Sequence, residues 1–138
     1  MRLATAFLLL SLVAGPLAGC DESDPQAVRG MIRLAPGTGQ RLGASDALFI
    51  TARAAGQAGG PPLAVVKMVG MTFPAAYSIG QEDVMMPGTW FRGKVEIKAV
   101  LRKSGFVSMP ATGDLEGRAS GAVEPGAQGV DIELGPPK

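Results

Sequence analysis

Residues 94–103 read Lys94-Val95-Glu96-Ile97-Lys98-Ala99-Val100-Leu101-Arg102-Lys103. In an extended chain successive side chains alternate between faces. Val95, Ile97, Ala99 and Leu101 therefore point one way and Lys94, Glu96 and Lys98 the other, the pattern of an antiparallel strand with one face in the core and one in water. Residues 130–134 repeat the device, with Val130, Ile132 and Leu134 inward and Asp131 and Glu133 outward. In Ala47 to Ala54, Leu48, Ile50 and Ala52 alternate with Phe49, Thr51 and Arg53. Val28 to Leu34 is a further β-prone run, closed by Ala35-Pro36-Gly37, and Leu63 to Val69, apolar on both faces apart from Lys67, is expected to be a central strand. Phe73 to Ile79 is a weaker strand because Pro74 is tolerated only at a start or an edge. Trp90-Phe91, opening after the Met85-Met86-Pro87-Gly88 turn, is a short seventh candidate. The glycine-rich stretch Gly113 to Pro125 has room for one more irregular strand around Arg118 to Val123.

The 20 glycines and 11 prolines punctuate these runs at intervals of about ten residues, the rhythm of a sandwich or barrel. No helical period spans the chain after its first segment. The expected fold is all-β, an Ig-like antiparallel β-sandwich of about seven strands over residues 28–138. With 46% hydrophobic but only 5% aromatic residues, its core is built largely from Val, Ile, Leu, Ala and Met.

Residues 1–19 are expected to be a lipoprotein signal peptide. Arg2 supplies a positive start, and Leu3 to Ala14 is an apolar run of signal-peptide size, broken by Gly15-Pro16 before it reaches the 18 to 25 or so residues of a membrane helix. Leu17-Ala18-Gly19-Cys20 resembles the lipobox of bacterial lipoproteins, in which small residues precede a cysteine that is diacylated and becomes the new N-terminus. Cys20 is the single cysteine of the chain. Residues 20–27, acidic and containing Pro25, are expected to tether the lipid to the domain. Asp21 resembles the inner-membrane retention signal of enteric lipoproteins, so the periplasmic side of the inner membrane is favoured over the outer membrane.

Removing Arg2 from the 13 basic side chains leaves as many as the 12 acids. A neutral mature chain argues against nucleic acid, whose binders carry a clustered basic excess. The absence of His excludes His-based triads and His metal ligation. Gly37-Thr38-Gly39-Gln40-Arg41-Leu42-Gly43 has the wrong spacing for a nucleotide fingerprint and no helix to follow it, so it is read as a loop. The pairs Asp114/Glu116 and Glu82/Asp83 could share a proton or bind a cation, but neither has a partner base or third ligand. No enzyme, cofactor or metal is expected. The strongest alternative is Cu(I) held by the thioethers of Met68, Met71, Met85, Met86 and Met109; against it stands the ordinary use of methionine as core filler or adaptable contact surface. Arg92, Lys94, Lys98, Arg102 and Lys103 against Glu96 make a basic strand, either a solvated face or a patch for an acidic partner.

Taken together, Leu48-Phe49-Ile50, Ala52-Arg53-Ala54, the turn and strand Gly59 to Val66, Met85-Met86-Pro87-Gly88, Lys103-Ser104-Gly105 and Gly113-Asp114-Leu115-Glu116-Gly117 resemble, in order and spacing, the periplasmic C-terminal domain of the cytochrome c maturation factor CcmI, also called CycH. The likeness covers roughly residues 29 to 134. It implies an Ig-like domain that works, without catalysis, beside a haem ligation complex receiving apocytochrome c. The chain departs from the usual members in carrying neither their transmembrane helices nor their tetratricopeptide repeats. The expected role is an accessory or scaffold lipoprotein in c-type cytochrome biogenesis, acting through protein contacts. A structural envelope lipoprotein without a cytochrome role is a further alternative. Met85, Met86, Trp90 and Phe91 are the expected apolar contact cluster, with Lys94, Lys98 and Lys103 as basic contacts.

Overall fold

A computed structural model describes residues 23–39 and 42–138. The leader, Leu17 to Gly19, Cys20 and Asp21 lie outside the described residues. Seven strands follow one another: β1 (Val28–Leu34), β2 (Ala47–Ala54), β3 (Ala64–Val69), β4 (Ala75–Ile79), β5 (Val95–Arg102), β6 (Leu115–Arg118) and β7 (Ile132–Leu134), with one 3₁₀ turn at Gln81–Asp83. They form a three-stranded sheet, β4-β1-β7, and a four-stranded sheet, β3-β2-β5-β6. All neighbouring strands run antiparallel except β1 and β7, which are parallel with Ile32 opposite Ile132.

The alternation in the sequence becomes the core. Leu48, Ile50 and Ala52 of β2 and Val95, Ile97, Ala99 and Leu101 of β5 are buried between the sheets, where Val28 and Ile32 of β1, Tyr77 and Ile79 of β4, Leu115, Ile132 and Leu134 meet them. The Tyr77 hydroxyl is satisfied there by donating to the Val130 carbonyl at 2.7 Å. Burial, with the charge of Asp131 adding to it, pushes the Tyr77 hydroxyl well above the ordinary tyrosine range.

The C-terminal segment closes the sandwich across both sheets. It joins β1 through Arg29 N–H to Ala127 and Val130 N–H to Arg29, and it exchanges two backbone hydrogen bonds with β6 between Glu116 and Gly135. Two glycines permit this approach. A Cβ at Gly30 would stand 2.0 Å from the Val130 carbonyl oxygen, and one at Gly117 would stand 2.1 Å from that of Glu133. Both obstacles are backbone, so only glycine fits.

Three expectations need correction. The strand at Leu63–Val69 is not central: β3 is the edge of the four-stranded sheet, and its Lys67 and Val69 are exposed. Trp90-Phe91 is not a strand; it lies in the loop before β5. The fourth strand of that sheet, Leu115–Arg118, begins earlier than the expected Arg118 to Val123, and the chain after it keeps an irregular pairing with β5 through the Ala119 N–H to Ile97 and the Val95–Val123 bridge. Residues 24–27 are not a free tether. Asp24 accepts from the backbone N–H of Gln81 at 3.0 Å and of Gln26 at 2.8 Å, its carbonyl accepts from Arg29, the Gln26 carbonyl accepts from Gly126, and Ala27 is buried.

The strands give the sandwich two ends. The entry end gathers Asp24, Gln81, the Ala64–Val84 bridge and the Val95–Val123 bridge. The far end gathers Asp46, Val69, Arg102 and Leu115, where Ala47 pairs with both Val69 and Arg102. Eight residues of β5 separate the two, about 27 Å at strand rise.

Candidate interaction surfaces

At the far end the 103–114 loop is built around two buried carboxylates. Asp114 accepts from the backbone N–H groups of Lys103 and Ala111, each at 2.8 Å, and from the Arg102 guanidinium at 2.9 Å. Burial works against its charge, but those three donors outweigh burial and hold the carboxyl below its ordinary range. Asp46 accepts from the Gly43 N–H at 2.8 Å and pairs with the Lys103 ammonium, tying this loop to the turn before β2. Gly105, at φ +75, is where the loop passes Ser45; a Cβ there would stand 2.5 Å from the Ser45 carbonyl oxygen. Arg102 donates to the Val107 carbonyl, and the Ser104 hydroxyl donates to the Met109 carbonyl at 2.6 Å.

This scaffold holds Phe106, Val107 and Met109 out into solvent. With Val69 at the same end, and with Met85, Met86 and Trp90 at the other, they are the exposed large hydrophobics among the described residues, each between 51% and 65% accessible. The sequence signal for the far-end set was three apolar residues bounded by Lys103-Ser104-Gly105 and Pro110, a loop rather than a strand continuation. Reasoning from strand patterns passes over it.

Met85, Met86 and Trp90 occupy a turn at the entry end. The Met86 carbonyl accepts from Thr89 N–H across Pro87-Gly88, with Gly88 at φ +79. Met85 N–H donates to Leu63, and the Gln81 side chain clamps the turn's far side by donating to the Thr89 carbonyl at 3.0 Å and accepting from Phe91 N–H at 2.7 Å. Phe91 does not belong to the exposed cluster. It is 1% accessible and plugs the core, whereas its neighbour Trp90 faces out.

The basic strand is largely neutralised. Lys98 pairs with Glu116 at 2.7 Å, Arg102 with Asp114 and Lys103 with Asp46. Lys98 and Lys103 are thus committed within the fold, leaving Arg92 and Lys94 exposed. Glu116 is held below its ordinary range first by the hydrogen bond from Lys98, against a smaller effect of burial. Asp114 and Glu116 each have their own cation, so they do not share a proton. The outer face of the four-stranded sheet carries an open groove of about 700 Å³ over Thr51, Lys98 and Arg118, walled by the Gly56–Gly60 loop. Its Arg53 is occupied by the Gly60 carbonyl. The described element that follows Gly43 is a strand, β2, not a helix.

The thioethers do not gather around Met85 and Met86. Met68 and Met71 pack against the core, and Met109 stands on the far-end loop. No group of three or more Cys, Asp or Glu that could hold a metal ion occurs among the described residues, and none of the described helices is long and apolar enough to cross a membrane.

Seven strands in two facing sheets, with a core made from alternate residues of each and almost no helix, define an Ig-like β-sandwich domain. A family model described as the Ig-like domain of cytochrome c-type biogenesis protein H matches residues 28–134, and the chain belongs to that family. Among solved structures it is similar to an alternative pilotin from the type II secretion system of Vibrio cholerae, at 13% identity and a TM-score of 0.51, over 79% of this chain and 94% of that one. That likeness is one of fold. No curated protein matches the chain.

Proposed function

We propose that the protein is a bacterial lipoprotein, acylated on Cys20 and held on the periplasmic side of the membrane, that serves without catalysis as an accessory in c-type cytochrome biogenesis. Asp21 favours the inner membrane. The observation that carries the reading is the match of residues 28–134 to the Ig-like domain of cytochrome c-type biogenesis protein H. The contact with the haem ligation machinery or with apocytochrome is made by the far-end loop: Phe106, Val107 and Met109 are apolar, exposed and fixed in place by Asp114, Arg102 and Ser104, so little ordering entropy is lost when a partner covers them. The charge-paired interior of the basic strand gives no support to an acidic partner there.

The test is a haem stain of denaturing gels from cells lacking the gene. Covalent-haem bands are expected to weaken or vanish, to return with the wild-type gene, and not to return with Phe106→Ser/Met109→Ser at equal protein level. Unchanged bands would leave the reading of a structural envelope lipoprotein in its place. Separately, Cys20→Ser is expected to abolish palmitate labelling and release from the membrane pellet should follow; a variant that still matures and stays detergent-extractable would refute the anchor.

A further inference from the structure

We propose that the Met85–Trp90 turn rests in the interfacial layer of the membrane beside the acyl anchor and so fixes the sandwich with its far end directed away from the bilayer. The inference rests on the reading of Cys20 as acylated. Cys20 stands four positions before Asp24, a span of at most about 14 Å of chain. Asp24 is not loose: its carboxylate accepts from Gln81 N–H at 3.0 Å, and residues 24–27 are bonded to Arg29, Gln81 and Gly126. The lipid is therefore held close to the entry end rather than on a long leash.

The exposed turn belongs to the same end through one residue. Gln81, whose backbone N–H meets Asp24, clamps with its side chain the residues on either side of Trp90, namely Thr89 and Phe91. Met85, Met86, Pro87 and Trp90 project from that clamp. Tryptophan, with an apolar ring and one N–H donor, suits the boundary between headgroups and acyl chains. Methionine fills irregular apolar surroundings at low cost. Asp24, Glu82 and Asp83 lie at this end with Asp21 and Glu22 just before it in sequence, while Arg92 and Lys94 follow the turn. Attraction to anionic headgroups therefore does not drive the contact, and added salt is expected not to weaken it.

Trp90 is the single tryptophan, so the native protein reports on itself. The full lipidated protein is reconstituted into vesicles of phosphatidylethanolamine and phosphatidylglycerol with brominated acyl chains, and palmitate on Cys20 is assayed in the same sample. The expected result is a blue-shifted Trp90 emission, quenched by shallow bromine positions and not reversed by added salt. Withdrawing a large apolar side chain from water shifts such an equilibrium by about tenfold or more. Met85→Ser/Met86→Ser should accordingly lower the docked fraction strongly, with the unfolding midpoint unchanged because both side chains are exposed. Palmitate present with Trp90 unquenched overturns the docking and leaves the anchor standing. Absence of palmitate overturns both. A blue shift that depends on protein concentration and not on lipid assigns the turn to a second copy of the chain, and also overturns it.

Discussion

Replacing Asp114 by alanine tests whether the far-end loop is built by its carboxylate. The side chain is nearly inaccessible and accepts three hydrogen bonds, from Lys103 N–H, Ala111 N–H and the Arg102 guanidinium. Alanine leaves both backbone donors without their acceptor, but Lys103 is only half-buried and Ala111 exposed, so water takes up part of the roughly 1 to 3 kcal/mol that a fully buried unmade group costs. The Arg102 side chain is 20% accessible and turns partly to water, so its loss adds little. The expected cost is about 1 to 3 kcal/mol, a fall in the urea midpoint on the order of 1 M. Asn keeps one acceptor and should lose about half as much. Urea unfolding followed by far-ultraviolet circular dichroism gives the midpoint, and amide exchange at Lys103 and Ala111 reports the loop directly. An unfolding free energy for Asp114→Ala within about 0.5 kcal/mol of wild type, or unaltered exchange at those two amides, would refute the reasoning.

Gly117→Ala is expected to destabilise by about 2 kcal/mol or more, because its Cβ meets the Glu133 carbonyl at 2.1 Å and the C-terminal segment must separate from β6; the same urea experiment measures it. Ile97→Asp should unfold the domain by burying an unpaired charge, whereas Lys98→Gln breaks only a partly exposed ion pair and should cost less than about 1 kcal/mol; equal midpoints would show the register of β5 to be wrong. Asp114 and Glu116 are both held below their ordinary ranges in the fold, so the unfolded chain binds more protons as pH falls, and stability rises with pH there. Their contribution is complete above the unfolded carboxylate values near pH 4 and is lost as pH falls through the folded ones; Asp114→Asn should flatten that slope in midpoints taken between about pH 2 and 6.

Alternation made β2 and β5 legible to within a residue, since a strand with one buried face writes its period into the sequence. The place of β3 was not legible. Val65, Val66, Met68 and Val69 have the composition of a central strand, and only pairing shows that β2 lies on one side and the Ala64–Val84 bridge on the other. Trp90 and Phe91 misled for a related reason: adjacent residues of extended chain face opposite ways, so one enters the core and the other leaves it, and bulk alone does not say which. Asp114 reads as an acidic turn residue because its partners, Arg102 and Lys103, precede it by more than ten positions. The docking of Asp24 onto Gln81 has no local signal at all, for its partner is 57 positions away.

The residues that carry the family likeness and those that offer contact surface are largely different. Lys103, Gly105, Asp114 and Gly117 belong to the shared words, and each serves the fold. Lys103 pairs with Asp46, Gly105 lets the loop pass Ser45, Asp114 is the loop's acceptor, and Gly117 admits the C-terminal segment. Phe106, Val107 and Met109 lie between two of those words, held by them but contributing nothing to the core. A third, Met85-Met86-Pro87-Gly88, is the exception, since its own two methionines are exposed, with Trp90 just after them. A loss of cytochrome assembly on changing Asp114 or Gly117 therefore carries no information about partners, because the loop or the sandwich edge has already gone. Loss on changing Phe106 or Met109, at unchanged stability, does. The same division makes the two ends separable: substitutions at Met85 and Met86 should disturb seating at the membrane and spare assembly measured with detergent-solubilised protein, whereas those at Phe106 and Met109 should do the reverse. If both sets fail together in detergent, the two ends serve one partner and the assignment of the entry end to lipid is wrong.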